Sequence, residues 1–309
     1  MRHRLEYLAV LLTRYLARLT PRRFVRPIGT ALGLAFYAFD RVHRRVADTN
    51  LATAFPQRTP SERRTIVRHM FGHFGRVLFE LLKFSTLTPQ QMRAVVEFEG
   101  EERARAAYGL GRGVLFFTGH FGYWEIHAIV HGLGLQPIGV LARALDNPHL
   151  NELLERVRTS TGNSVIYRQG AVRRVLRTLH AGQGVAMLID QHLHSPDAIY
   201  VDFFERPAAT TSTLAQLALR TSAPVVPVFA LPLPHGRYRM IYEHAVAPPA
   251  ADTPDAIRQF TQRCTDVLEM YVRRHPSLWL WMHRRWRDAP LPEDTRGMFP
   301  ETRPDESET

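Results

Sequence analysis

The sequence predicts an α/β domain, with a central, mostly parallel mixed sheet flanked by helices and preceded by amphipathic N-terminal helices. Three observations predict it. Strand-like apolar runs alternate with helical stretches from residue 114 onward, several helices open on a cap followed by proline, and the first 46 residues combine an arginine block with a helical apolar stripe.

The N-terminal segment comes first. Of the net charge of +11, eight units lie in residues 1–46, where ten arginines face only Glu6 and Asp40. Lys83 is the only lysine, so the preference for Arg over Lys reflects the whole chain and not one site. Leu5, Leu8, Leu12, Tyr15 and Leu19 recur at three- and four-residue spacing and form one helical stripe, with Arg4, Arg14 and Arg18 beside it. A second apolar run, 27–39, is bounded by Arg26 and Asp40. Neither run gives the roughly 20 uninterrupted apolar residues that a spanning helix needs. The pattern points to helices lying on an anionic membrane surface, and it predicts that residues 1–46 can be removed without unfolding the rest. No nucleic-acid reading module accompanies the charge, so nucleic acid is not the expected partner.

Beyond residue 46, Thr59-Pro60-Ser61-Glu62 and Thr88-Pro89-Gln90-Gln91 each supply an N-cap, a proline at the first helical position and a capping-box partner. Asn147-Pro148 and Thr253-Pro254 repeat the cap and proline. Strands are predicted at 114–118, 138–142, 164–167, 185–190, 225–231 and 238–242, with helices at 123–131, 148–161 and 172–181 among those between them. The chain thus divides into basic docking helices (1–46), a helical region (47–110), the α/β core (111–288) and a Pro- and acid-rich tail (289–309) of disordered composition. A single cysteine, Cys264, excludes an internal disulfide and a Cys-based zinc site.

Reactive groups of α/β sheets gather after the carboxyl ends of strands. The run 114–118 is followed by Gly119-His120-Phe121-Gly122-Tyr123-Trp124-Glu125 and then a helix, which puts His120 in a strand-to-helix turn and Glu125 in the helix's first turn. A carboxylate on one imidazole nitrogen fixes the tautomer and supports the cation formed when the other takes a proton. Free loop amides and the helix N-terminus favour a nearby oxyanion. The spacing alone is weak: with 15 His and 29 acidic residues, roughly one or two His-x4-acid pairs arise by chance. The chain has four, His43–Asp48, His120–Glu125, His192–Asp197 and His283–Asp288. Only His120–Glu125 combines a preceding strand, flanking glycines and a following helix.

The run 118–125 resembles the His-x4-Glu signature of the bacterial lipid A lauroyl/myristoyl acyltransferase family, to which the phosphatidylinositol mannoside acyltransferases are related. Further ordered blocks carry the same resemblance: Asn50-Leu51-Ala52-Thr53-Ala54-Phe55-Pro56 with Glu62-Arg63-Arg64, the run 142–148, Arg158-x3-Gly162, and Ile189-Asp190-Gln191. Val201-Asp202-Phe203-Phe204, Ala209-Thr210 and Trp281-Met282-His283-Arg284-Arg285-Trp286 continue it. The chain departs from the family in having Tyr123 where many members have Asn.

The resemblance implies transfer of a fatty acyl chain from an acyl carrier protein or coenzyme A thioester to a hydroxyl of a lipid A precursor or related glycolipid. It implies His120 as general base, Glu125 as its orienting partner, and neither a metal nor a cofactor. Arg143 and Arg158 become candidates for the acceptor's phosphate or the reacting oxygens, or else are solvated arginines on a helix face. Asp190 and Gln191 either shape the substrate pocket or simply end a strand. The implied location is the cytoplasmic face of the bacterial inner membrane, with phosphatidylinositol-mannoside or other phospholipid acylation, or a non-catalytic membrane scaffold, as alternatives. Two other classes fit poorly. Gly109-x-Gly111-x-Gly113 precedes its strand, the wrong order for cradling phosphate, and no Gly-x-Ser-x-Gly elbow of a serine hydrolase is present.

Overall fold

The computed structural model describes residues 1–167, 170–195 and 198–287, so the expected tail (289–309) lies outside the described residues. Three helices open the chain, α1 (Arg2–Leu19), α2 (Arg22–Phe39) and α3 (Arg41–Ala54). The long α4 (Pro60–Phe84) and the short α5 (Pro89–Arg93) follow, and both open on the capping boxes read from Thr59 and Thr88. Then come β1 (Val96–Glu99), α6 (Glu101–Gly109), β2 (Val114–Thr118), α7 (Trp124–Gly134), β3 (Ile138–Ala142), α8 (Pro148–Thr159), β4 (Ser164–Tyr167), α9 (Ala171–His180) and β5 (Gly184–Leu188). The chain closes with β6 (Ile199–Asp202), β7 (Pro207–Thr210), α10 (Thr213–Thr221), β8 (Val225–Leu233), β9 (Arg237–Tyr242) and α11 (Pro254–Arg274).

Seven strands form one sheet in the order β1-β9-β8-β2-β5-β3-β4, in which only the β8–β9 pair is antiparallel. Strands β6 and β7 make a separate antiparallel pair. Two details differ from the sequence reading. Residues 47–110, read as helical, also carry β1, whose short, partly polar Val-Glu-Phe-Glu run gives little strand signal until β9 pairs with it. The run 185–190 stops as a strand at Leu188, leaving Asp190 beyond the strand end.

Strand β2 is buried along its whole length, as expected of a central strand covered on both faces. Its alternate side chains divide between two apolar clusters. Leu115 and Phe117 join Leu51, Met70, Leu179 and Trp279, while Phe116 joins Phe84, Ile129, Val226 and Tyr242. Helix α4 therefore contributes to both clusters, Met70 to one and Phe84 to the other.

The N-terminal helices are joined to this body by more than a linker. Helix α2 crosses α4 closely, with Gly33 against the Phe71 carbonyl. Arg26 pairs at 3.1 Å with Glu80, a buried carboxylate that also accepts from the Tyr238 hydroxyl at 2.6 Å. Removing residues 1–46 would strip this carboxylate of its arginine and uncover apolar side chains of α4. The truncated chain is therefore expected to lose stability, in contrast to the expectation that the rest stays folded.

Candidate active site

Strands β2 and β5 are neighbours, and their register sets Thr118 opposite Leu188. His120 and Asp190 each lie two residues further on, so the sheet delivers them to the same place at its carboxyl edge. The His120 Nδ1 is 2.9 Å from Asp190 Oδ1, and the His120 backbone N–H donates to Oδ2 at 2.6 Å. Trp279 Nε1 donates to the same Oδ2 at 2.8 Å. Asp190 is fully buried, whereas His120 keeps 13% of its side chain exposed and its Nε2 has no hydrogen-bond partner among the described residues.

The electrostatics follow from this geometry. Burial works to lower the His120 pKa, but the charge and hydrogen bond of Asp190, with a smaller contribution from Glu125, outweigh it and leave it raised. Burial likewise opposes ionisation of Asp190. Attraction to His120 and the hydrogen bonds it accepts hold the carboxyl well below the usual range. The pair is therefore a carboxylate that orients an imidazole with one open nitrogen.

Glu125 stands in the first turn of α7 as expected, but its carboxylate is not the one hydrogen-bonded to His120. Its carboxylate is bound in a fork by Arg158, Nε to Oε2 at 2.9 Å and Nη2 to Oε1 at 2.5 Å, with both side chains largely buried. The imidazole's hydrogen-bonding carboxylate is thus Asp190, and Glu125 acts on His120 only through its charge. The same pair bears on Arg158: two of its guanidinium nitrogens, Nε and Nη2, are engaged by Glu125. Arg143 is exposed on the connection after β3, 3.5 Å from the equally exposed Asp146. The Gln191 side chain is exposed, while its carbonyl accepts from Arg285 Nη1 at 3.4 Å. Of the six residues singled out, the fold brings His120 and Asp190 into direct contact and joins Glu125 to Arg158 close by.

The loop carrying His120 is held on every side. The His120 amide is spent on Asp190, Phe121 N–H on the Gly119 carbonyl at 2.7 Å, Gly122 N–H on Leu278 at 2.9 Å and Tyr123 N–H on Ala230 at 2.9 Å. Those amides, expected to be free for an oxyanion, are therefore engaged. From below, the buried His73, kept neutral by burial with a pKa of about 3, donates from Nε2 to the Gly122 carbonyl at 3.3 Å.

Both flanking glycines have a steric reason. A Cβ on Gly119 would come within 2.9 Å of Asp190 Oδ2, and one on Gly122, at φ +58°, within 2.0 Å of the Ala230 carbonyl. Gly122→Ala is expected to cost about 2–4 kcal/mol of folding stability, because it adds a backbone clash to an unfavourable φ. Equilibrium urea unfolding measures this, and an unchanged midpoint would contradict the packing described.

Residues outside those six complete the frame. The segment 278–280 runs beside the loop, with Leu280 N–H on the His120 carbonyl at 3.1 Å and a bridge between Phe121 and Trp279. Asn50 of α3 holds the next turn, donating to the Trp281 and His283 carbonyls at 2.7 and 2.5 Å. The buried Arg285 ties the segment to Ala209 and Thr210. These residues stand in the blocks around Asn50, Ala209-Thr210 and Trp281-Met282-His283, and their convergence is what the ordered resemblance contained. Among the described residues, no group of three His, Cys, Asp or Glu side chains is placed to hold a metal ion.

The α/β sheet thus sets a histidine, with a carboxylate on its Nδ1, at its carboxyl edge. The chain belongs to the bacterial lipid A biosynthesis acyltransferase family, whose sequence model matches residues 1–288, and it is an acyltransferase. The Escherichia coli K12 lipid A biosynthesis palmitoleoyltransferase is 25% identical over 273 residues, covering 87% of this chain and 86% of that protein. The lauroyltransferase of the same organism is 26% identical over 272 residues, with 87% of each chain covered, and its myristoyltransferase is 26% identical over 267 residues, covering 85% and 81%. Among solved structures, the 1-acyl-sn-glycerophosphate acyltransferase PlsC of Thermotoga maritima aligns with a TM-score of 0.35 and 17% identity. It covers 77% of this chain and 94% of that one, too loose a match to bear on fold or reaction.

Proposed function

We propose that this protein transfers a fatty acyl chain from an acyl carrier protein or coenzyme A thioester to a hydroxyl of a lipid A precursor or related glycolipid, with His120 as general base. The observation that carries the reading is the His120 imidazole, fastened through Nδ1 to buried Asp190 and open at Nε2. In the reaction, Nε2 takes the proton of the acceptor hydroxyl while its oxygen bonds to the thioester carbonyl carbon. The tetrahedral adduct then collapses, the carbon–sulfur bond breaks, and the leaving thiolate receives the proton from the imidazolium. Asp190 keeps the proton of neutral His120 on Nδ1 and stabilises the cation between the two transfers. Glu125, bound to Arg158, adds negative charge on the same side and fixes α8 against α7.

The test is direct. Purified protein, a lipid A precursor and an acyl-acyl carrier protein or acyl-coenzyme A should give a lipid heavier by one acyl chain in the mass spectrum. No acylated product with either donor would count against the reading.

The N-terminal helices fit a role at the bilayer surface. Leu5, Leu8, Leu12, Tyr15 and Leu19 of α1 point outward, each 58–62% exposed, and Phe24, Leu32, Phe36 and Phe39 of α2 are exposed as well. The stripe therefore faces away from the core it could have covered, among the arginines of the same segment. No described helix is long and apolar enough to cross a membrane. Peripheral docking on the cytoplasmic face of the inner membrane accounts for these features together. Substituting two leucines is a cleaner test than truncation, since it leaves Arg26 on Glu80. Leu8→Gln with Leu12→Gln is expected to weaken binding to anionic phosphatidylglycerol vesicles roughly 10- to 100-fold, from lost apolar insertion. Co-sedimentation measures it, and equal binding by both proteins would exclude this face.

A further inference from the structure

His283 stands beside the base without a role in the scheme so far. Its ring meets that of His120 edge-on, with centroids 4.8 Å apart. Its backbone is fixed by Asn50 on its carbonyl and by the strand-like pairing of 278–280 with the His120 loop. Among the described residues its Nε2 is buried with no hydrogen-bond partner, while Nδ1, on the open side of this half-buried ring, has none either. An unpaired buried polar atom in an otherwise satisfied site calls for a reason.

The tautomer follows from the surroundings. A proton on Nε2 would strand a buried donor, whereas a proton on Nδ1 leaves the N–H on the open side of the ring. The ring stays neutral at physiological pH: burial, then the neighbouring His120, Arg285 and His43, hold its pKa near 4 against the opposing pull of Asp190. Neutrality matters because His120 becomes a cation during the reaction, and a second cation in ring contact would oppose that step.

The reaction also lacks a donor that the loop does not supply. The amides of residues 120–123 are all engaged, so the oxyanion formed at the thioester carbonyl needs a hydrogen bond from elsewhere. Resting on the acyl-transfer reading above, we propose that His283 is a second catalytic residue, donating from Nδ1–H to the thioester carbonyl oxygen as it becomes the tetrahedral oxyanion. The first-turn amides of α7 at Trp124 and Glu125 are the competing source, and substitution separates the two.

The experiment compares His283→Ala and His283→Gln with the wild type and with His120→Ala, using acyl-acyl carrier protein and a lipid A precursor, each varied in turn. Loss of one oxyanion donor is expected to lower kcat roughly 10²- to 10³-fold with KM nearly unchanged. Gln, which retains a donor, is expected to recover about tenfold over Ala. Circular dichroism and thermal melting establish that the variants are folded. Near-normal kcat in His283→Ala, with His120→Ala inactive, would overturn the assignment and leave the reading of His120 intact. Gln no better than Ala in folded protein would overturn it too, because packing and not donation would then be responsible. Activity retained in His120→Ala would instead count against the general-base reading itself.

Discussion

His120→Ala is expected to reduce acyl transfer roughly 10²- to 10⁴-fold while the protein stays folded. A positioned general base commonly supplies that factor, equivalent to about 3–5 kcal/mol of transition-state stabilisation. Folding should survive because the side chain is partly exposed, and the buried Asp190 keeps its bonds from the residue 120 amide and Trp279. The loss should fall on kcat and kcat/KM alike, since proton removal contributes only in the transition state. His192→Ala is a useful comparison, with the same spacing to an acidic residue in a loop of different context. Should His192→Ala be inactive while His120→Ala turns over normally, the wrong histidine has been assigned.

Asp190→Asn is expected to be nearly as severe, for a different reason. The amide can present N–H to Nδ1, which places the imidazole proton on Nε2, the nitrogen that must accept from the acceptor hydroxyl. A loss of roughly 10²- to 10⁴-fold is expected, as for a base held in the wrong tautomer. The pH profile carries a second signature. Catalysis requires neutral His120, so kcat/KM falls as pH drops through its pKa, which Asp190 holds above the ordinary value. With the carboxylate charge removed, burial dominates and the pKa falls, so the residual activity should persist to lower pH than in the wild type. An acid limb that stays in place, or moves upward, would contradict the assigned pairing. Glu125→Gln removes only the smaller, through-space contribution to His120 and should shift that limb less.

Much of this was legible in the chain. The central strands announce themselves as buried apolar runs, and 114–118, 138–142 and 164–167 coincide with β2, β3 and β4. The cap-and-proline signals at Thr59 and Thr88 became capping boxes in place. Long-range pairing was not legible. Strand β5 lies beside β2 across two intervening strands of sequence, so nothing local indicates that Asp190 and not Glu125 reaches the imidazole. The shared two-residue offset of His120 and Asp190 emerges only once β5 is seen to end at Leu188, because the sequence pattern carries that strand on to Asp190. The destination of Glu125 depended on α8 packing on α7, which brings the Arg158 guanidinium to its carboxylate. Likewise, the α1 stripe could be read from its period, but which way it faces was decided only by how α1 packs on α4.

The central claim is that His120 drives the transfer of one acyl chain to a lipid, and lipid mass spectrometry of cells tests it most directly. Cells lacking this protein should accumulate a lipid A or related glycolipid lighter by one acyl chain. Wild-type protein should restore the mature species, and His120→Ala, expressed to the same level, should leave the lighter one in place. An unchanged lipid profile on removing the protein, or full restoration by His120→Ala, would contradict the account.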